Sequence, residues 1–188
     1  SHMLSYNGMP AFVTPSSTPK AINFWLAARS LAALALVGAI LIPRGRSPRL
    51  PRHVLPIAVL MAVGALHLLF LYHPELVPDT FIPDQGLTPF KIGFEYALIA
   101  VYLTTGALYF RQLRQPRTFN ASGLLATAVV MAMSEFFFTL YANVTDVYNL
   151  LGHVYKVLAY GFLYRALFVE SVQSPFQALQ AAQARQQA

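Results

Sequence analysis

Eight side chains of this 188-residue sequence carry a charge or an imidazole inside otherwise apolar stretches: Arg29, His67, Lys91, Glu95, Glu135, His153, Lys156 and Arg165. Carboxylates and cations withdrawn from water pair with one another, because an isolated buried charge is too costly. The same groups can orient the polar head of a small ligand, with Trp25, Phe94, Phe137 and Tyr141 as walls and Asn149 as a further polar contact. A third chemistry is metal or haem ligation by His67, His153 and Glu135, with Glu95 as a further donor, since imidazole and carboxylate suit zinc or iron. No pair has the spacing of a helical metal motif such as HExxH. All three readings fit the residue types, and the cofactor stays unassigned. Covalent catalysis fits less well. Ser134 and Glu135 are adjacent, so on a helix they point apart and do not make a nucleophile–base pair. The absence of cysteine removes thiolate chemistry and Cys-based metal sites.

The elements that must position these groups are apolar helices. The chain is 56% hydrophobic and only 11% charged, with a mean hydropathy of +0.51. A soluble domain carries about 25% charged residues, and a chain this short has too much surface to hide so much apolar side chain from water. Five windows have the length and apolarity of membrane spans: Ala21–Ile42, Val54–Tyr72, Phe90–Phe110, Ala121–Tyr141 and Tyr148–Val169. The fold class expected is all-α, a polytopic transmembrane helix bundle of about five spans. Residues 4–170 form the bundle. Ser1-His2-Met3 reads as a cleavage scar of recombinant expression, and residues 171–188, rich in Ala and Gln, read as an outgoing cytoplasmic helix or linker.

The loops give direction. Arg44, Arg46, Arg49 and Arg52 crowd the first loop, and Arg111, Arg114 and Arg117 the third. Glu75, Asp79 and Asp84 stand in the second, and Asp146 in the fourth. Arginine-rich loops stay cytoplasmic, which puts the N-terminus outside and the C-terminus inside. The net charge of +6 thus points to an anionic inner leaflet rather than to nucleic acid. On this orientation all of these but Arg165 fall in the outer half of their spans, as if they met in one outward-facing polar chamber, while Arg165, near the inner end, can snorkel to the cytoplasmic surface. The outer loop Pro74–Pro89, with Pro74, Pro78, Pro83, Pro89 and Gly86, reads as an extended, ordered lid. On the fifth span Asn149, His153, Lys156, Tyr160 and Tyr164 recur at three- and four-residue spacing, a stripe expected to face other helices.

Several local runs share one resemblance: Leu4-Ser-Tyr-Asn-Gly-Met9, Asn23-Phe-Trp-Leu-Ala-Ala-Arg29, Leu87-Thr-Pro-Phe-Lys-Ile-Gly-Phe-Glu-Tyr96, Ser134-Glu-Phe-Phe-Phe-Thr-Leu-Tyr141, Asn149-Leu-Leu-Gly-His-Val-Tyr-Lys156 and Tyr164-Arg-Ala-Leu-Phe168. Together they resemble the membrane-associated sensor family, type three, the input domains of bacterial histidine kinases and diguanylate cyclases. The resemblance implies a non-enzymatic sensory module of the bacterial inner membrane. Its partners would be the lipid bilayer, an unidentified small-molecule ligand, a downstream cytoplasmic signalling domain and, by analogy with output domains that work in pairs, a second copy of the chain. The family pattern places further helices ahead of the Leu4 run, so the resemblance implies a fragment lacking upstream helices. The matched runs contain Arg29, Lys91, Glu95, Glu135, His153 and Lys156.

Overall fold

The computed structural model describes residues 1–6, 8–41, 51, 53–83, 85–113, 121–141 and 145–168, and in the tail 172, 176, 177, 179, 180, 183 and 185. Among the described residues five long helices occur: α1 (Thr18–Leu41), α2 (Val54–Tyr72), α3 (Pro89–Gln112), α4 (Ala121–Leu140) and α5 (Val147–Phe168). They coincide with the five windows read from hydropathy, and the ends differ by up to three residues because capping, not apolarity, sets a helix end. Ile42, the loop arginines Arg44, Arg46, Arg49, Arg52, Arg114 and Arg117, Asp84, and most of the outgoing tail lie outside the described residues.

Four helices, α1 to α4, are long and apolar enough to cross a membrane. The remaining one, α5, has 22 residues, but Asn149, His153, Lys156 and Arg165 lower its apolarity. The distribution of burial identifies the solvent. α2 has the highest mean hydropathy of the four, 2.5, yet only 6% of its apolar window is buried, against 33–44% for the others. In a water-soluble bundle the most apolar helix is the most buried. The reverse order is what a lipid environment allows, and the chain is a multi-pass membrane protein.

The chain divides into two compact units, Ser1–Glu95 and Tyr96–Ala188. In the first, an extended N-terminal segment with a short 3-10 turn at Met3–Ser5 leads to α1. Ser17 caps α1, its Oγ accepting from the Lys20 amide (3.4 Å) and its carbonyl from that of Ala21 (3.1 Å). Phe24 of α1 meets Phe70 of α2 edge-on at 5.1 Å. The loop after α2 is ordered and mostly non-helical, as its prolines require: a 3-10 turn at Pro74–Leu76, then an antiparallel hairpin of β1 (Phe81–Ile82) and β2 (Gly86–Leu87). Gly86 has φ +86°, the left-handed conformation that suits glycine at this turn. Thr88 Oγ1 donates to the Asp79 carbonyl (2.6 Å) and Thr80 Oγ1 to the Pro19 carbonyl (3.4 Å), tying the hairpin to the starts of α3 and α1.

In the second unit α4 and α5 form a tightly packed antiparallel pair. Ser134 Oγ donates to the Gly152 carbonyl across the pair at 2.8 Å. Phe137 stacks on Tyr155 at 5.1 Å, and Phe138 meets the His153 ring edge-on at 5.2 Å. The α5 face that packs carries Gly152, Lys156, Ala159 and Ala166. The stripe expected to face other helices is therefore only partly buried: Lys156 is covered, while Tyr160 and Tyr164 are exposed. Small residues decide which face packs, because they let helix backbones approach.

Candidate functional site

Three helices carry their charged residues on a buried seam. In α1 the seam is Ile22, Leu26, Arg29, Ala33, Leu36 and Ile40; in α3 it is Lys91, Glu95, Leu98, Tyr102, Thr105 and Tyr109. Both alternate steps of four and three residues, the spacing that keeps one helix face turned inward. In α4 Leu124, Met131, Glu135 and Phe138 share the inward face. These charges thus replace core residues; Arg111, in the last turn of α3, is exposed instead.

The most developed cluster lies within the first unit. Thr88 caps α3, its Oγ1 accepting from the Lys91 amide at 3.3 Å, and Pro89 opens the helix with φ already suited to it. This start fixes Lys91 and Glu95 four residues apart on one face. Arg29 Nη1 donates to both oxygens of Glu95, at 2.9 Å to Oε1 and 2.8 Å to Oε2. Lys91 Nζ approaches Glu95 Oε1 at 3.2 Å. The guanidinium carbon of Arg29 lies 4.1 Å from the ring centre of Trp25, a cation–π contact. Arg29, Lys91 and Glu95 are all at most 1% exposed. One carboxylate therefore meets two cations in a low-dielectric site, where each contact is stronger than it would be in water.

A second pair lies within the other unit. Lys156 Nζ of α5 stands 3.8 Å from Glu135 Oε1 of α4, with the carboxylate fully buried. That separation is a charge contact rather than a hydrogen bond. Ser134, next to Glu135, uses its hydroxyl to hold the α5 backbone. Tyr141, buried just beyond the end of α4, meets Phe138 edge-on at 6.4 Å. Asn149 is half-buried in the first turn of α5, which Asp146 caps by accepting from the Tyr148 amide at 3.3 Å. His153 is more exposed than its neighbour Gly152.

Of the residues singled out by sequence, Trp25, Arg29, Lys91 and Glu95 thus come together, and so do Glu135 and Lys156. Phe94 and Phe137 are half-buried and contact other aromatic rings. His67 has a different setting. Its ring lies 4.9 Å from that of Phe24, its Nδ1 donates to the Val63 carbonyl at 2.8 Å, and its Nε2 bonds the Ser1 hydroxyl. Among the described residues no group of three or more His, Asp or Glu side chains comes together to hold a metal ion. Lys20 is a buried cation that sequence reading passed over. Its ammonium donates to Thr14 Oγ1 at 2.7 Å and to the Pro15 carbonyl. The Ser17-Thr18-Pro19 helix-start signal just ahead of it was the available clue.

No curated protein and no solved structure matches the chain. A family model described as a membrane-associated sensor domain matches residues 1–175, a span that contains both charged clusters and all five helices. With four apolar helices fit to cross a membrane and charged residues on their buried seams, the chain belongs to the MASE3 family of membrane-associated sensor domains.

Proposed function

We propose that this sensor domain binds its signal at polar groups buried within the membrane and passes the change along α5 to a cytoplasmic output domain. The observation that carries this reading is the Arg29–Glu95–Lys91 cluster, three charged side chains at most 1% exposed on membrane-helix seams. Ionisable residues inside a membrane are costly and rare, and they mark sites of function. In the first unit Trp25, Arg29, Lys91 and Glu95 would meet the signal. In the second, Glu135 and Lys156 would respond, with Tyr141, Asn149 and His153 around them. The orientation that suits this reading has the N-terminus outside and the C-terminus in the bacterial cytoplasm, since arginines dominate the first and third loops. A bound molecule moves the equilibrium only by binding one arrangement of these groups better than the other.

Native mass spectrometry of the purified chain in detergent tests the reading. A stoichiometric adduct that is lost in Glu95→Gln or Glu135→Gln, with the helical circular dichroism of the wild type retained, supports it. A wild-type mass free of adduct, together with loss of folding in both variants, would reduce the clusters to structural ion pairs.

A further inference from the structure

The segment ahead of α1 bends into a closed loop that neither charged cluster uses. Its ends meet: the Ser17 amide donates to the Ser5 carbonyl at 3.0 Å, and the Ser16 hydroxyl to the Leu4 carbonyl at 3.4 Å. Lys20, in the first turn of α1, reaches back to the returning limb, where its ammonium donates to Thr14 Oγ1 at 2.7 Å and to the Pro15 carbonyl. The outgoing limb turns where the Met9 amide donates to the Tyr6 carbonyl at 3.0 Å, with Gly8 at φ +97°. Loops whose ends close in this way hold a compact shape, and many are functional. The tip is apolar and bare. Phe12 and Val13 are 65% and 63% exposed, and Met9, Pro10 and Ala11 before them are exposed too. Residues 4–19 include no Lys, Arg, His, Asp or Glu.

An exposed apolar run marks a surface for a membrane or for another protein. Two features favour the membrane. The loop leads straight into α1, a helix fit to cross the bilayer, so its base sits where that helix leaves the lipid. Pro10 has no amide to desolvate, and the Met9 amide is already bonded, so entry into the leaflet strands neither donor. We propose that Met9–Val13 inserts into the headgroup and acyl boundary of the leaflet at which α1 enters the membrane, as an apolar wedge pinned to α1 by Lys20. With no charge at the tip, zwitterionic lipid suffices as its partner. This surface is separate from the Arg29 and Glu135 clusters and does not depend on what they bind.

The chain has no cysteine, so a nitroxide label can be placed at one chosen site. Phe12→Cys, Val13→Cys and Glu75→Cys are labelled in turn, set in phosphatidylcholine nanodiscs and checked for helical circular dichroism. All three sites are exposed, so the labels leave the helix contacts untouched. Glu75, in the loop after α2 and 64% exposed, is the water-facing reference. Molecular oxygen concentrates in lipid and a nickel chelate stays in water, and the relaxation each causes reads the depth of the label. Oxygen should dominate at positions 12 and 13, and the order should reverse at position 75. Nickel dominating at either loop position would put the tip in water and overturn the proposal. Loop labels shielded from both agents, as a tip covered by protein would be, would overturn it as well.

Discussion

Replacing Gly152 by alanine should destabilise the α4–α5 pair, although alanine is the better helix former. A Cβ built at Gly152 falls 2.6 Å from Phe138 Cζ and 2.8 Å from Cε1 and Cε2. Carbon atoms pack at about 3.5–4.0 Å, so the ring or the helix must yield by about an ångström. The ring cannot yield easily: Phe138 is 1% exposed, with Tyr141 and His153 against it. The helix is held by the Ser134 hydroxyl on the carbonyl of Gly152 itself. Overpacking of this kind costs about 1–3 kcal/mol, and a rigid ring against a pinned backbone belongs at the upper end. Alanine returns up to about 1 kcal/mol of helix propensity, which leaves a net loss of about 2 kcal/mol. Gly161 on the same helix is the control. Nothing lies within 4 Å of a Cβ there, so Gly161→Ala should stabilise by up to about 1 kcal/mol. Reversible unfolding in mixed micelles, followed by circular dichroism, gives both signs. Phe138→Leu in the Gly152→Ala background should recover part of the loss, and a double-mutant cycle isolates the coupling. A Gly152→Ala protein as stable as Gly161→Ala would show that the two helices do not interlock at this contact.

Removing one member of the buried Arg29–Glu95–Lys91 cluster should be costly. Glu95→Gln removes the carboxylate that two cations share and should cost about 3–5 kcal/mol by the same unfolding assay. Arg29→Lys keeps the charge but replaces the flat guanidinium 4.1 Å from the Trp25 ring centre by a rounded ammonium, so it should lose about 1–2 kcal/mol and shift the tryptophan emission. An unchanged spectrum would count against the stacking. Gly86→Ala forces a Cβ into a left-handed turn at φ +86° and should cost about 1 kcal/mol. Faster proteolysis confined to residues 79–88 is the expected sign, and wild-type protection would refute it.

Helices α1 to α4 were legible because lipid imposes a one-dimensional rule: a span must be apolar for nearly its whole length, and hydropathy finds it. The positions of Arg29, Lys91 and Glu95 were legible for the same reason, since a charge in such a segment stands out against its neighbours. Which charges meet was harder to read. The pairing of Arg29 with Glu95 depends on the rotation of α1 against the start of α3, and that rotation is set by the Thr88 cap and the two seams, not by depth in the membrane. The face of α5 was misjudged because polarity was taken as the sign of burial. In lipid, small residues such as Gly152, Ala159 and Ala166 are the better sign, since close backbone approach is what holds membrane helices together. The exposed Tyr160 and Tyr164 follow from the same point. His67 stands out in the sequence as a polar group in an apolar helix, but its Nδ1 bond to Val63 is made within its own helix and leaves no trace in residue spacing.

The clusters raise a question of energy that separates sensing from scaffolding. Arg29 stands on a seam whose other members are Ile22, Leu26, Ala33, Leu36 and Ile40, and Lys91 and Glu95 begin a seam that continues through Leu98 and Tyr102. Apolar residues at those three positions would continue both seams without desolvating any charge. Buried ion clusters replaced as a set by apolar residues of similar volume leave stability unchanged or higher, often by about 1–4 kcal/mol, whereas removal of one member alone is strongly destabilising. The triple variant Arg29→Met, Lys91→Met, Glu95→Leu should therefore unfold no more easily than the wild type, and more reluctantly than Glu95→Gln. If the cluster serves to receive a signal, the same triple variant should lose any stoichiometric adduct in native mass spectrometry while keeping its fold. A triple variant less stable than Glu95→Gln would reverse the argument: the charges would then hold α1 against the start of α3, and their burial would be explained by folding alone.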